Sequence, residues 1–283
     1  MNAFHIITFY ILQVFKKGFS IMSARKRFYI SSRLGAVFYY YLDIRKEQAR
    51  ANIRKAFPNF QPLQVEKILK KTYLNFCHNF IEFISLPKSY KQINIEVKGH
   101  RILQSCLKQK KGVVLISGHF GAWEILGQWI ANNVHLFAGV AQKQNNKGAH
   151  KFFVSQRELV GIKHIFKGSP LNAMYDVLSK NGLLGLVSDQ DARGKGIFVD
   201  FFGIPASTPK GAAIFHVNTK APMLLGICLK QNFRKYHIHF KAINTKNKDI
   251  KEITQEYTKL IELYVEKYPD QYFWFHRRWK TKP

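Results

Sequence analysis

A histidine and a glutamate stand five positions apart in Gly118-His119-Phe120-Gly121-Ala122-Trp123-Glu124, directly after the apolar run Val113-Val114-Leu115-Ile116. An imidazole, with an ordinary pKa of about 6.5, is the natural general base near neutrality, and a carboxylate can fix its tautomer and orientation. On one continuous helix, positions five apart point about 140° away from each other. His119 and Glu124 therefore meet only if the histidine lies in a turn and the glutamate reaches back from the first helical turn. Gly118 and Gly121 permit such a turn, and their missing side chains let a substrate approach the backbone. Ser117-Gly118 is not a GxSxG elbow, so the pair points to a base activating an external hydroxyl rather than to a covalent intermediate. Metal ligation fits less well, because HxxxxE lacks the same-face spacing of HExxH and no third ligand stands out. A bare H-x4-E spacing is also compatible with a purely structural role.

Further polar residues fall where chemistry collects. Asp189-Gln190-Asp191 follows the apolar run Leu183 to Ser188, and Asp189 is expected to point inward as a structural or substrate-positioning acid, with Gln190 beside it. Arg193 and Lys195, flanked by Gly194 and Gly196, could hold phosphates or form an ordinary solvated turn. Thr208, before Pro209 and Lys210, suits a helix N-cap as readily as a ligand contact. Phe198, Phe201 and Phe202 could line a core or an apolar groove. Trp274, His276, Arg277, Arg278 and Trp279 mix aromatics with basic charge, which fits a lipid headgroup boundary or a docked tail with Trp274 inside.

The elements that must position these residues alternate. A helical pattern runs from Arg33 to Phe57, and a second from Pro62 to Leu86, where Val65, Leu69, Tyr73, Phe76 and Phe80 share a face. Strands are expected at Ile93 to Val97, Gly112 to Ser117, Phe137 to Gln142, Leu183 to Ser188, Met223 to Leu229 and Tyr236 to Ala242. Helices are expected at Ala122 to Ala131, Lys151 to Val160, Leu171 to Ser179 and Lys210 to Asn218, with a last amphipathic one through Ile253 to Val265. Such alternation predicts an α/β fold with a mostly parallel central sheet flanked by helices. In such sheets chemistry gathers at the carboxyl ends of strands, which is where His119 and Asp189 fall.

Composition limits the partners. Across 283 residues, 45 Lys plus Arg oppose 17 Asp plus Glu, a formal charge of +28 that favours polyanions. Cys77, Cys106 and Cys228 are far apart and odd in number, which argues against a disulfide framework or a zinc ribbon. Ala3 to Phe15 is mostly apolar and Lys16-Lys17 follow it. Thirteen helical residues reach about 20 Å, short of the roughly 30 Å hydrocarbon core, so a membrane-dipping anchor is expected over residues 1–24. Basic residues cluster just after it, and each near an anionic leaflet adds roughly 1 kcal/mol of attraction. An anionic membrane is thus expected as a partner and nucleic acid is not. The rest, 25–283, is expected to be a single domain with a helical part (25–90) and an α/β part (91–283).

HFGAWE, then SDQDARGKGIFVDFFGIPASTPKGAA, then QYFWFHRRWKTKP, with RANIRKAFP upstream, resemble in order and spacing the bacterial late acyltransferases of lipid A biosynthesis. The resemblance spans nearly the whole chain. It implies transfer of a fatty acyl group from acyl carrier protein to a hydroxyl of a lipid A precursor, on the cytoplasmic face of the inner membrane. It implies His119 as base, Glu124 orienting it, and Arg157 stabilising an oxyanion or binding a lipid phosphate. Substrate contacts are expected from Asp189, Gln190, Arg193, Lys195, Thr208, Arg277 and Arg278. No cofactor is expected beyond the thioester of the carrier protein, and no metal. Backbone N–H groups of the turn before Ala122 could serve the tetrahedral intermediate. The chain departs from the family at Ala141 to Gly148 (AQKQNNKG) and at Lys220, which bears on acceptor and acyl length. Rival readings are an acyltransferase of another membrane lipid, such as a phospholipid, an aminolipid or a glycosylated phosphoinositide, and a non-catalytic lipid-binding protein of the same fold.

Overall fold

The computed structural model describes residues 2–283. Four helices come first: α1 (Ala3–Ser20), α2 (Ala24–Tyr41), α3 (Lys46–Ala56) and α4 (Pro62–Ile84). The α/β part follows as β1 (Asn94–Lys98), α5 (His100–Leu107), β2 (Val113–Ser117), α6 (Trp123–Asn133), β3 (Phe137–Ala141), α7 (Lys147–Glu158), β4 (Lys163–Phe166), α8 (Asn172–Ser179) and β5 (Leu183–Val187). The chain ends with β6 (Ile197–Phe201), β7 (Ile204–Thr208), α9 (Gly211–Thr219), β8 (Met223–Lys230), β9 (Lys235–Ala242), α10 (Ile250–Lys267) and an irregular tail.

Seven strands form one sheet in the order β1-β9-β8-β2-β5-β3-β4, parallel throughout except for the β8–β9 pair. The α/β expectation therefore holds. β2 lies in the middle and every one of its residues is buried. That is why it reads as an unbroken apolar run, since a strand covered by helices on both faces has no polar side to show. Each of its Val, Leu and Ile side chains contributes about 1.5–3 kcal/mol by leaving water. β6 and β7 make a separate hairpin that packs against α10.

Several boundaries differ from the sequence expectation. The helix expected from Arg33 to Phe57 is two helices, broken between Leu42 and Arg45, where Asp43 and Arg45 adopt positive φ of 42° and 56°. α5, β4 and the β6–β7 hairpin had no counterpart in the expected elements. α7 starts at Lys147, because the Asn146 carboxamide oxygen caps it by accepting the N–H groups of Gly148 and Ala149, each at 2.9 Å.

No helix among the described residues is long and apolar enough to cross a membrane. The anchoring helix expected at the N-terminus is therefore not a spanning one here. α1 lies against the body along α7, with Phe9, Leu12 and Phe19 packed on the core. The Asn146 amide donates to the Thr8 hydroxyl at 3.0 Å. On its outer side α1 exposes Phe4, Ile7, Tyr10, Val14 and Phe15.

Lys230, at the end of β8, reaches into a cavity of about 170 Å³ between α2, α4 and Asp270. Burial pulls its pKa from an ordinary 10.5 down to about 8, against the opposing pull of Asp270 and Glu82. Below pH 8 both folded and unfolded chains hold this proton, so the cost of the buried charge is felt in full. Between pH 8 and 10.5 the unfolded chain binds more protons, and stability rises with pH. Lys230→Met should therefore stabilise the protein at pH 7 by about 1–3 kcal/mol, since each pKa unit is about 1.4 kcal/mol. The gain should shrink toward nothing near pH 10.5. Thermal unfolding of both proteins at pH 7 and pH 10 checks this.

Candidate active site

The register of two neighbouring strands builds the site. Ser117 of β2 is paired with Val187 of β5, and each chain continues two residues past that pair. One side reaches His119 and the other Asp189, at adjacent carboxyl ends of parallel strands. His119 Nδ1 and Asp189 Oδ1 lie 2.9 Å apart. Gly118 lies against the Asp189 side chain, where a side-chain carbon would be in ordinary van der Waals contact at 3.4–3.5 Å.

Asp189 is 2% exposed at its side chain and His119 is 30% exposed. Burial by itself would push the Asp189 carboxyl up. The facing imidazole and the backbone N–H groups of His119 and Asp189 outweigh it and hold the carboxyl below its ordinary range. An ionised Asp189 must accept, so Nδ1 carries the hydrogen, and in the neutral form of the ring Nε2 carries the lone pair. Nε2 has no protein partner among the described residues. That is the disposition of a general base aimed at an incoming hydroxyl. The Trp123 and Phe273 rings flank the imidazole, with centroids 5.6 and 5.9 Å away.

Glu124 does not orient His119. It stands in the first turn of α6 and faces α7, where Arg157 grips it with Nε–Oε2 at 3.0 Å and Nη2–Oε1 at 2.5 Å. The Trp123 indole N–H also donates to it at 3.2 Å. Arg157 lies against the Phe83 ring, and Glu124 keeps its guanidinium pKa raised despite burial. The two carboxylates thus serve two partners: Asp189 holds the imidazole and Glu124 holds the guanidinium.

The turn that carries His119 is clamped by the tail and by α4. Phe273 N–H donates to the His119 carbonyl at 2.9 Å, and the Asn79 amide donates to the Gly121 carbonyl at 2.6 Å. Gly121 is left-handed (φ 58°), and a side-chain carbon there would sit 2.0 Å from the Cys228 carbonyl oxygen. Only glycine fits that approach. The N–H groups of Gly121 and Ala122 already donate to Gln271 and Cys228 carbonyls, each at 2.8 Å. They cannot also stabilise an oxyanion, contrary to the sequence expectation.

The remaining expected contacts divide. Gln190 is half-buried beside Asp189, and Arg193, Lys195 and Arg277 are exposed. Thr208 is fully buried and is not an N-cap; α9 opens after Lys210, and the Thr208 hydroxyl accepts from Arg278 Nη2 at 2.6 Å. Arg278 is turned inward rather than toward a headgroup, with Nη1 on the Ser207 carbonyl at 2.8 Å and its guanidinium over Phe201. Trp274 and Trp279 are buried, so the tail is docked. Phe201 is core.

The His119–Asp189 pair at the rim of the α/β sheet suits a site of the general-base kind, and among the described residues no serine or cysteine is bonded to the imidazole. Residues 2–281 match the profile of the bacterial lipid A biosynthesis acyltransferases, and the chain belongs to that family. It is an acyltransferase. It is 23% identical over 262 residues to the lipid A biosynthesis palmitoleoyltransferase of Escherichia coli, covering 90% of this chain and 85% of that one. It is 24% identical over 242 residues to the phosphatidylinositol mannoside acyltransferase of Mycobacterium tuberculosis, covering 82% and 77%. A lipid A biosynthesis acyltransferase of Haemophilus influenzae is 26% identical over 246 residues, covering 83% and 77%.

Proposed function

We propose that the chain moves a fatty acyl group from the thioester of acyl carrier protein to a hydroxyl of a lipid A precursor, with His119 as the base. The observation that carries this is the Asp189-held imidazole with Nε2 open, in a chain of this family. Nε2 takes the hydroxyl proton as that oxygen attacks the thioester carbonyl. The tetrahedral intermediate then expels the carrier's sulfur, which takes the proton back from the imidazolium. Asp189 stabilises the imidazolium while it lasts. Arg157, oriented by Glu124, is assigned to the developing oxyanion or to a phosphate of the acceptor. No cofactor beyond the donor thioester enters the scheme.

The reaction is placed at the cytoplasmic face of the inner membrane. The apolar outer side of α1 supports this, with Lys16, Lys17, Arg25 and Lys26 beside it. Shallow insertion of such a helix next to basic charge suits an anionic leaflet. The +28 charge also suits an acidic carrier protein and a phosphorylated glycolipid.

A second acceptor is favoured by one finding, the similarity to phosphatidylinositol mannoside acyltransferases over 82% of the chain. The deciding experiment presents radiolabelled acyl carrier protein thioesters of several chain lengths to wild type in detergent. The acceptors are a lipid A precursor and a phosphatidylinositol mannoside. Label moving to the lipid A precursor is expected. Label moving only to the mannoside transfers the assignment to that acceptor, and label moving to neither overturns both.

A further inference from the structure

The cavity of about 170 Å³ between α2 and α4 takes none of its lining from His119, Asp189, Glu124 or Arg157. Two cations line it, Lys71 and Lys230, together with one anion, Asp270. Among the described residues neither ammonium forms a hydrogen bond or an ion pair; Lys230 faces the Phe28 ring at 5.6 Å instead. The walls are fixed. The Gln271 side chain brackets the Lys230 backbone, accepting its N–H and donating to its carbonyl, each at 3.0 Å. The Asn75 amide donates to the Asp270 carbonyl at 2.8 Å and to Asp270 Oδ2 at 3.2 Å. Opposite charges are thus held on the walls of one cavity without touching.

That arrangement selects its occupant. A mostly buried ammonium without a partner carries a desolvation cost that an anion relieves. Two ammonium groups on separate elements, β8 and α4, suit the several oxygens of a phosphate better than the two of a carboxylate. A simple anion, however, leaves Asp270 opposing it. The polar atoms still open on the other side are acceptors: Asp270 Oδ1, Asn75 Oδ1 and the Ser32 hydroxyl oxygen, whose own hydrogen goes to the Phe28 carbonyl at 2.8 Å. They match in number the three N–H groups of a primary ammonium. One short molecule carrying both a phosphate and a primary amine answers both walls. The α2 wall also bears exposed Tyr29 and Leu34 beside Phe28 and Ser32, which suits a headgroup boundary.

We propose that this cavity binds a phosphate-linked primary amine of the phosphoethanolamine type, with Lys71 and Lys230 on the phosphate and Asp270 on the amine. The site stands apart from the acyl-transfer centre and does not depend on which acceptor His119 serves. It rejects a quaternary amine, because a methylated nitrogen has no N–H to give and leaves the acceptors unpaired.

The test is calorimetric titration of the full chain, in a polyoxyethylene detergent, with glycerophosphoethanolamine, glycerophosphocholine, ethanolamine or inorganic phosphate. Wild type should bind the first saturably and about tenfold tighter than each of the others, since each lacks a charge or the N–H donors. Lys230→Met should weaken that binding about tenfold, and Lys71→Gln carries this arm if Lys230→Met does not fold. Asp270→Asn should erase the preference for the ethanolamine compound over the choline compound. No saturable binding by wild type, or binding unchanged in every variant, overturns the site and leaves water in the cavity. Phosphate bound as tightly as glycerophosphoethanolamine overturns the paired-charge reading in favour of a simple anion site. Sedimentation with vesicles of phosphatidylethanolamine or of phosphatidylcholine separates the sources. A preference for the former that Asp270→Asn loses identifies a lipid headgroup, and soluble binding without that preference identifies a free ligand; the proposal holds in both cases.

Discussion

Replacing Asp189 by asparagine should lower kcat for acyl transfer by about 10³–10⁴, the loss that follows when a catalytic imidazole is left in the wrong tautomer. The amide can present an N–H to Nδ1, which drives the ring hydrogen to Nε2 and removes the lone pair that faces the acceptor. His119→Ala should lose about 10²–10⁴ by deleting the base itself. Because the two residues act as one unit, the double variant should be little worse than the poorer single. Glu124 should behave differently. It is bonded to Arg157, so Glu124→Gln should be non-additive with Arg157→Gln and additive with Asp189→Asn. Steady-state kinetics of the singles and doubles, with circular dichroism to check folding, reads out the pairing. Coupling of Glu124 with His119 but not with Arg157 would return the orienting role to the neighbour in sequence.

That exchange of partners marks where the sequence stops being legible. The apolar runs at β2, β5 and β8 and the periodicity of α4 and α10 were readable, because complete burial and a one-sided face both leave a direct trace in residue type. His119 and Asp189 were each placed at a strand's carboxyl end for that reason. Their contact was not readable, since it depends on β5 lying beside β2 in the order β8-β2-β5-β3. Seventy residues separate the pair along the chain, whereas Glu124 is only five away from His119. Nearness in sequence suggested the wrong carboxylate. The available signal was the shared position of His119 and Asp189, each just past a buried apolar strand, which makes adjacent strands enough to join them. The break at Leu42 to Arg45 and the inward turn of Arg278 left no comparable trace. Charged and aromatic residues at those places suit a surface equally well.

The largest stability effect should come from a part of the molecule far from the chemistry. Arg27 of α2 and Glu82 of α4 are 0% and 1% exposed and are joined by Nε–Oε1 and Nη2–Oε2 bonds of 2.8 and 3.1 Å. Arg27 Nη1 also donates to the Met22 carbonyl at 2.6 Å, so the guanidinium ties the α1–α2 corner to α4. Burial pushes the Glu82 carboxyl above its ordinary range even with Arg27 beside it. Arg27→Met leaves that carboxyl buried and unpaired, at a cost of about 3–5 kcal/mol. This is a large share of the roughly 5–15 kcal/mol that stabilises a typical domain. Removing both charges together, as Arg27→Met with Glu82→Gln, should recover most of the loss, because the pair's attraction mainly offsets its own desolvation. The sign with pH follows from the raised carboxyl. Its folded form prefers the proton, so the stability it contributes is present below the unfolded pKa and is lost as pH rises through the folded one. Arg27→Met should therefore be least damaged near pH 5 and most damaged at pH 8. Urea midpoints for wild type, the single and the double at both pH values decide it. A single variant as stable as wild type at pH 8 would mean that water reaches Glu82 and that the pair is not the brace between α2 and α4.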